Sequence, residues 1–138
     1  MNIVYTGGTF DLFHAGHVFF LKQCAKYGNV TVALNTDEFV ERYKGKPPIM
    51  KYWEREVVLK SCLWVDNVVP NIGSENSKPA ILSVKPDYII IGDDWLNKDY
   101  PKQMGFTNDW LQENFIKLVY IPYSNGISTT EIKRRIAQ

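Results

Sequence analysis

The stretch Ile3-Val-Tyr-Thr-Gly-Gly-Thr-Phe-Asp-Leu-Phe-His-Ala-Gly-His17 decides how the rest of the chain is organised. Its first three residues form an apolar run typical of a buried strand, and Gly7-Gly8 end that run. From about Ala15 to Tyr27 the apolar residues recur at helical spacing. Glycines let the backbone approach a ligand closely, and the free N–H groups of a helix start favour anions. The order strand, glycine turn, helix therefore predicts a site for the phosphates of a nucleotide.

His14 and His17 carry the chemistry predicted for this site. Residues three apart at a helix start lie on one face. Each imidazole can donate to a phosphate oxygen, and each can take a positive charge near neutral pH. Such a pair would stabilise the charge that builds on a phosphoryl group under attack, by positioning and electrostatics alone. Zinc is the competing interpretation of His-x-x-His, but zinc needs three or four ligands and the chain has only 2 His, so metal ligation is disfavoured.

Composition predicts one ordinary globular domain over residues 1–138. Apolar residues make up 45% and charged residues 22% of the 138 residues, and the formal net charge is +1. This balance gives no general attraction to nucleic acid or to a membrane surface, and no apolar run is long enough to span a bilayer. The chain begins directly with a strand, which predicts no signal peptide. Cys24 and Cys62 stand in helical patterns, so we expect reduced thiols and a cytoplasmic protein.

The remaining pattern alternates between strands and helices. The nearly continuous apolar runs at 30–34 and 88–92 are typical of parallel strands covered on both faces. The segments 65–70 and 117–121 predict two further strands. Helical patterns follow at 52–63, 80–84 and 108–115, with further helix starts near Asp37 and Ser128. In the first of these helices the buried side would include Val57, Val58, Cys62 and Leu63, and Asn108 would cap the last. We therefore expect an α/β fold with a Rossmann-like open parallel sheet of about five strands and helices on both faces.

Three blocks of the sequence resemble one enzyme family. The run from Gly8 to His17 resembles the nucleotidylyltransferases that carry an HxGH signature. Gly126-Ile127-Ser128-Thr129-Thr130 resembles the C-terminal signature of the cytidylyltransferase branch, and Gly92-Asp93-Asp94-Trp95 resembles the glycerol-3-phosphate cytidylyltransferases. The blocks occur in the family's order over nearly the whole chain.

The resemblance implies a reaction and assigns roles. The phosphate of an acceptor would attack the α-phosphorus of CTP in line, and pyrophosphate would leave without a covalent enzyme intermediate. His14 and His17 would stabilise the transition state. Mg²⁺ is expected because the triphosphate charge needs neutralising, and Asp11 would help to place it. The nucleotide pocket would include Gly8, Thr9, Phe10 and Gly16.

The segment 43–53 contains three lysines, Gly45 and two prolines, which predict an irregular loop. A solvated surface loop is the simpler interpretation. Since the family has a phosphate-binding lysine in this loop, Lys44 and Lys46 match a mobile flap that closes over the triphosphate and the acceptor phosphate.

Arg55 and Asp66 also match family positions. Arg55 lies near a helix start, where a cation is unfavourable unless an anion binds there. The resemblance implies that Arg55 contacts the triphosphate; a surface ion pair with a neighbouring glutamate is the alternative. Asp66 matches an aspartate that helps to organise the site, although a structural role is equally open.

Asp93, Asp94 and Trp95 follow the strand that ends at Gly92. Ligands of open α/β sheets bind at the carboxyl ends of the strands. An indole there can stack on a base, and a carboxylate can accept a hydrogen bond from an exocyclic amine. Cytosine has such an amine and uracil does not, but adenine has one too, so the choice of CTP depends on the resemblance.

The C-terminal block predicts a second anion site. Ser128 with Glu131 forms a capping box, which also describes a simple well-capped helix. The hydroxyls of Ser128, Thr129 and Thr130 would reach the β- and γ-phosphates. The segment 96–116 is a long insertion that would line the acceptor pocket, form a subunit contact or be a plain surface loop.

Two positions depart from the glycerol-phosphate members of the family. Tyr123 and Leu63 stand where those members have arginines. Glycerol 3-phosphate therefore leads among acceptors only by default, ahead of ethanolamine phosphate, a sugar phosphate or a phosphonate. The family is often dimeric, which predicts a homodimer. An adenylyltransferase of the same superfamily and a non-catalytic nucleotide-binding regulatory module are the alternatives.

Overall fold

A computed structural model of the chain describes residues 1–73, 75–92, 100–122 and 128–138. These residues form five strands and seven helices, whose bounds in chain order are β1 (Ile3–Gly8), α1 (Ala15–Ala25), β2 (Asn29–Leu34), α2 (Asp37–Lys44), α3 (Tyr52–Lys60), β3 (Asn67–Pro70), α4 (Lys78–Val84), β4 (Tyr88–Gly92), α5 (Tyr100–Met104), α6 (Asn108–Glu113), β5 (Lys117–Ile121) and α7 (Thr129–Ile136).

The strands form a single parallel sheet in the order β3-β2-β1-β4-β5. The chain starts in the middle of the sheet, moves to one edge, and then returns to build the other half. Strand order thus reverses between β1 and β4, the point where open α/β sheets bind ligands. The prediction of a Rossmann-like parallel sheet is confirmed.

Alternating side chains of the strands supply two cores, one on each face of the sheet. On one face Val4, Val32 and Ile90 pack with Leu21 of α1 and Leu59 of α3. On the opposite face Tyr5, Ala33 and Ile89 pack with residues of α4 and α6, including Ile81 and Leu111. Both faces are therefore covered by helices, which explains why the strands are apolar almost throughout.

Several helix boundaries and faces differ from the sequence predictions. Helix α2 continues through Lys44, so the predicted loop over 43–53 is shortened to 45–51. Helix α6 is capped by Thr107, whose hydroxyl accepts the N–H of Trp110, and the predicted cap Asn108 is its first residue. Helix α5 lies within the segment expected to be a loop. No helix in the described part of the chain is long and apolar enough to cross a membrane.

The buried face of α3 also differs from the prediction. We expected Val57 and Leu63 to be buried, but both are exposed, whereas Arg55 and Leu59 are buried. A spacing of four residues places Arg55 and Leu59 on one side of the helix. An arginine therefore takes a core position that an apolar pattern cannot predict.

Candidate active site

The crevice lies where β1 and β4 separate. These strands pair only at Val4↔Tyr88 and Tyr5↔Ile89, whereas β1 pairs with β2 along six residues. The carboxyl halves of β1 and β4 therefore diverge and leave a cavity of about 610 Å³. The described residues that line it are Gly7, Gly8, Thr9, Phe10, Asp11, His17, Asn35, Phe39, Val40, Arg42, Tyr43, Lys44, Lys46, Pro47, Pro48, Glu75, Ile91, Met104, Thr129 and Lys133.

The segment 7–17, which we call the floor, borders this cavity, and its backbone is unusual. Gly7 to Asp11 and His17 line the cavity, whereas His14 is not among the lining residues. Phe10 and Leu12 have φ values of 52° and 50°, in the left-handed region that residues with a side chain seldom adopt. This fold-back brings the Phe10 ring against Gly8, where a Cβ would lie 2.8 Å from a ring carbon. Strained backbone of this kind clusters at functional sites, because the surrounding structure must hold it in place.

The two histidines of the floor hold each other's backbone and stack their rings. His14 Nδ1 accepts the N–H of Gly16 at 3.1 Å, and His17 Nδ1 accepts the N–H of His14 at 3.2 Å. Their ring centroids are 3.9 Å apart. A neutral imidazole has one donor and one acceptor nitrogen. Because both Nδ1 atoms accept, both hydrogens are on Nε2, and the pair presents two N–H donors.

Burial sets the charge of the histidines. It lowers the pKa of His17 to about 3, with a further lowering by His14 and an opposing effect of Asp11. Burial also lowers the pKa of His14. Each Nδ1 also accepts a backbone N–H, which a charged imidazole cannot do, so both rings are neutral donors in this structure and the expected positive charge is not present.

Asp11 ties the floor to the loop that follows Lys46. Its Oδ2 accepts the N–H of Ile49 at 2.7 Å, and its Oδ1 accepts the N–H of Met50 at 2.9 Å and that of Leu12 at 3.1 Å. The carboxylate is thus engaged by three backbone donors. Within the described residues no group of three or more His, Cys, Asp or Glu side chains could hold a metal ion.

Arg55 is enclosed beneath the floor and does not line the cavity. Its side chain is fully buried, with Nη1 donating to the carbonyls of Thr9 and Asn35 at 2.9 Å each. Nε donates to the carbonyl of Met50 at 2.9 Å, and Nη2 pairs with Asp37 at 2.6 Å. The alternative interpretation, a surface ion pair with a neighbouring glutamate, is therefore wrong. Arg55 joins β1, β2 and the loop before α3, so its place in this structure is that of a support for the site.

Four cations surround the mouth of the cavity and form what we call the cationic rim: Arg42, Lys44, Lys46 and Lys133. Lys44 ends α2, and Gly45 reverses the chain with a φ of 81°, so that Lys44 and Lys46 face the same cavity. Arg42 forms a bidentate pair with Glu75 at 3.0 and 3.2 Å. The side chain of Lys133 makes no ion pair or hydrogen bond within the described residues.

Sequence reasoning missed part of this lining. A polar residue directly after a strand is a signal for a site residue, and this signal would have found Asn35 after β2. Lys133 stands four residues after Thr129, which places the two on one side of α7. Arg42 has no such signal, because its position depends on how α2 packs.

The start of α7 is joined to the floor. The Thr129 hydroxyl donates to the carbonyl of Asp11 at 2.9 Å, and the Ser128 hydroxyl accepts the N–H of Glu131 at 3.0 Å. The predicted cap of α7 is therefore confirmed. Thr129 lines the cavity, whereas Ser128 and Thr130 are not among its lining residues.

The other predicted site residues are either described but absent from the cavity lining, or lie outside the described residues. Asp66 accepts the N–H of Val30 at 2.8 Å, near the amino end of β2, so the structure does not bring it to the cavity. Gly92 ends β4 beside Ile91, and Gly16 is buried in the first turn of α1. Asp93, Asp94, Trp95, Tyr123, Gly126 and Ile127 lie outside the described residues.

Known proteins resemble this chain along almost its whole length. The model of the cytidylyltransferase-like family matches residues 5–135. The chain is 37% identical to a glycerol-3-phosphate cytidylyltransferase of Bacillus subtilis (strain 168), over 99% of this chain and 98% of that protein. It is 43% identical to an FAD synthase of Thermococcus sibiricus (strain DSM 12597 / MM 739), over 98% of this chain and 92% of that protein. The solved structure of a lipopolysaccharide core biosynthesis protein from Thermoplasma volcanium GSS1 matches with a TM-score of 0.71 and 28% identity, covering 91% of this chain and 99% of that one.

Proposed function

This chain belongs to the cytidylyltransferase-like family, and we propose that it transfers CMP from CTP to a small phosphorylated acceptor with release of pyrophosphate. The observation that carries the proposal is the stacked pair His14 and His17, of which His17 lines the cavity. Both rings are oriented by backbone N–H groups so that their Nε2–H groups are the donors. Donors fixed before the reaction are what stabilise a phosphoryl group under attack.

The reaction would proceed by direct displacement. A phosphate oxygen of the acceptor attacks the α-phosphorus, a new P–O bond forms, and the bond to the bridging oxygen breaks. The electron pair of that bond leaves with pyrophosphate. His14 and His17 donate to the oxygens on which negative charge increases, and Lys44 and Lys46 hold the phosphates.

Arg55 would act from beneath the site. Its guanidinium donates to the carbonyl of Thr9 and is buried, which supports a role in shaping the floor. The start of α7, with Ser128, Thr129 and Thr130, would lie near the leaving pyrophosphate, because the Thr129 hydroxyl contacts the floor at Asp11.

Mg²⁺ would enter with the nucleotide. The three backbone donors on Asp11 leave little room for this carboxylate to act as a metal ligand, and the described residues form no acidic cluster. Mg²⁺ commonly keeps most of its waters and is bound through substrate phosphates. The substrate would therefore be the complex of Mg²⁺ with CTP.

Glycerol 3-phosphate is the first acceptor to test, since a glycerol-3-phosphate cytidylyltransferase is 37% identical to this chain. Ethanolamine phosphate, sugar phosphates and phosphonates come next. Positions 63 and 123 hold leucine and tyrosine, so this chain lacks two positive charges that the glycerol-phosphate members have there. This difference is the reason to test other acceptors as well.

Adenylyl transfer is the second candidate, because an FAD synthase is 43% identical to this chain. The two candidates share the displacement chemistry and differ in the base. The residues that we predict to contact the base, Asp94 and Trp95, are where this difference would arise.

A homodimer is proposed together with the activity. The exposed apolar side chains of α3 and the segment after it, Trp53, Val57 and Leu63, would be covered by a second copy. The buried Cys24 thiol, whose pKa burial raises to about 12, is consistent with a reducing, cytoplasmic setting. Sedimentation equilibrium would test the dimer: a monomer at micromolar concentration contradicts it.

Pyrophosphate release tests the function. The protein is incubated with Mg²⁺ and each of CTP, ATP, UTP and GTP, against a panel of phosphorylated acceptors that includes flavin mononucleotide. Release that depends on CTP and one acceptor supports cytidylyl transfer and identifies the acceptor. If ATP is the only nucleotide from which pyrophosphate is released, the proposed cytidylyl transfer is replaced by adenylyl transfer. CTP binding without release from any pair contradicts an enzymatic role and favours a regulatory module.

A further inference from the structure

Three polar side chains form a line of hydrogen bonds from the core to the cavity. Asn71 Nδ2 donates to Asn35 Oδ1 at 2.8 Å, and Asn35 Nδ2 donates to Thr9 Oγ1 at 3.1 Å. Asn71 is only 1% exposed, whereas Asn35 and Thr9 line the cavity. The line therefore ends at a hydroxyl that a ligand can reach.

The direction of this line is set at its buried end. The Asn35 amide has one acceptor atom and one donor group, on opposite sides. Because Asn71 offers a donor, Asn35 turns Oδ1 toward it and Nδ2 toward Thr9. Arg55 fixes the same two residues by their backbone, since its Nη1 donates to the carbonyls of both Thr9 and Asn35.

The consequence concerns the hydrogen of the Thr9 hydroxyl. A threonine hydroxyl can donate one hydrogen bond and accept others. Here Oγ1 accepts from Asn35, and within the described residues its hydrogen meets no acceptor. The hydrogen is thus left for a group in the cavity, which must be an acceptor.

We propose that Asn71 and Asn35 are positioning residues that fix the Thr9 hydroxyl as a donor to an anionic phosphate oxygen of the bound substrate. This inference rests on the proposed function, because CTP and the acceptor bring the phosphates. It adds to that function a buried pair of asparagines that makes the Thr9 hydroxyl a hydrogen-bond donor toward the ligand. A phosphate of the nucleotide and the phosphate of the acceptor share the required chemistry, and the measurements below separate them.

Asn71→Asp reverses the line with a change of only one functional group. A carboxylate can only accept, so Asn35 would turn Nδ2 toward Asp and Oδ1 toward Thr9. Thr9 would then donate to Asn35 and present only lone pairs to the phosphate. We expect the Kd of CTP, or the KM of the acceptor, to rise about tenfold, which is the usual effect of losing one hydrogen bond to a charged group. The kcat changes little, because the bond exists in the ground state as well.

Thr9 variants connect this effect to the hydroxyl. Thr9→Val removes it without changing the shape, and we expect the same rise of about tenfold; Thr9→Ser keeps it and should restore affinity. In the double variant Asn71→Asp with Thr9→Val, the second change should add less than about twofold, since the two act through one bond. Full additivity of the two effects, in both the Kd of CTP and the KM of the acceptor, overturns the proposal.

Two further measurements keep the test decisive. Thermal unfolding of each variant shows whether Asn71→Asp destabilises the fold. If it does, Asn71→Leu is used instead, because it removes the orienting donor without adding a charge. The same coupling to Thr9 is expected for Asn71→Leu. Binding of inorganic tripolyphosphate, measured by calorimetry, needs no turnover. Tripolyphosphate binding that is coupled to both residues, in a protein that releases no pyrophosphate from any nucleotide, rejects the proposed function and retains this inference. Equal affinity of all variants for tripolyphosphate and CTP, with an unchanged KM for the acceptor, rejects the inference and leaves the function standing.

Discussion

The floor and the cationic rim both border the same cavity, but they are built in opposite ways. In the floor, His14, His17 and Asp11 are held by backbone hydrogen bonds, and burial keeps the rings neutral. In the rim, Lys44 and Lys46 are exposed and make no ion pair within the described residues. The floor therefore offers directed donors of fixed geometry, whereas the rim offers movable charge.

Because of this difference, we expect the two regions to act on different kinetic parameters, kcat and KM. The two histidine donors are placed to stabilise an arrangement that exists only in the transition state, so we expect them to act on kcat. The Thr9 hydroxyl differs from them, because it would bind a phosphate in the ground state as well and would act on affinity. Flexible charges bind phosphate in any arrangement, so they act mainly on KM. The following experiments test this division.

Removing a floor donor should have the largest effect. We expect His14→Ala or His17→Ala to lower kcat by about 100- to 1,000-fold, as the loss of a preorganised donor does elsewhere. The Kd of CTP, measured by calorimetry, should change by only a few-fold, and circular dichroism serves as the control for folding. An affinity that falls as steeply as the rate would make the histidines ground-state ligands and would remove the distinction between floor and rim.

The support of the floor should be the next most sensitive element. Arg55→Met leaves Asp37 and three carbonyls without their donor, so we expect a loss of about 3 kcal/mol in the free energy of unfolding by urea titration. The matched control is Arg42→Met in the rim, whose pair with Glu75 is exposed and should contribute little. Equal losses in the two variants would contradict the structural role of Arg55.

Neutralising the rim should have a smaller effect, mostly on binding. Lys44→Met and Lys46→Met should each raise the KM of CTP about tenfold and change kcat less, because each removes one charged contact to a phosphate. The increase should shrink at high salt, where exposed charges are screened. Lys60→Met is the control, since Lys60 is exposed but pairs with Glu56 on α3, outside the cavity lining. A fall in kcat with constant KM would place these lysines among the transition-state donors.

The pH dependence of stability should show the smallest effect. The pKa of His17 is about 3 in the folded protein and about 6.5 when unfolded, so below pH 6.5 the unfolded chain binds the extra proton. Stability is complete above pH 6.5 and declines as the pH falls toward 3. We expect His17 to contribute a loss of about 1 kcal/mol between pH 7 and pH 5.5, and this part should be missing in His17→Gln. A smaller decline should remain in that variant, because the pKa of His14 is lowered by burial too. An identical decline in the variant would assign the effect to other groups.

The fold could be predicted from local sequence patterns because burial constrains which residues a strand can contain. Continuous apolar runs such as those of β2 and β4 occur where both faces of a strand are buried, and that requirement already implies a parallel sheet with two layers of helices. The position of the floor was predictable for a similar reason, since Gly7-Gly8 between a strand and a helix start is a pattern of neighbouring residues. The face of α3 was mispredicted because Arg55 takes a core position. That position depends on four partners, of which Thr9, Asn35 and Asp37 come from distant segments.

Local sequence patterns were enough to predict the sheet and the position of the floor, since each depends on neighbours along the chain. The protonation of the histidines, the engagement of Asp11 by residues 49 and 50 and the burial of Arg55 became evident only in the packed fold. The same holds for the place of Asn35, Arg42 and Lys133 in the cavity lining. Those properties depend on burial and on hydrogen bonds between residues far apart in sequence. They exist only once β1, β2 and β4 lie side by side.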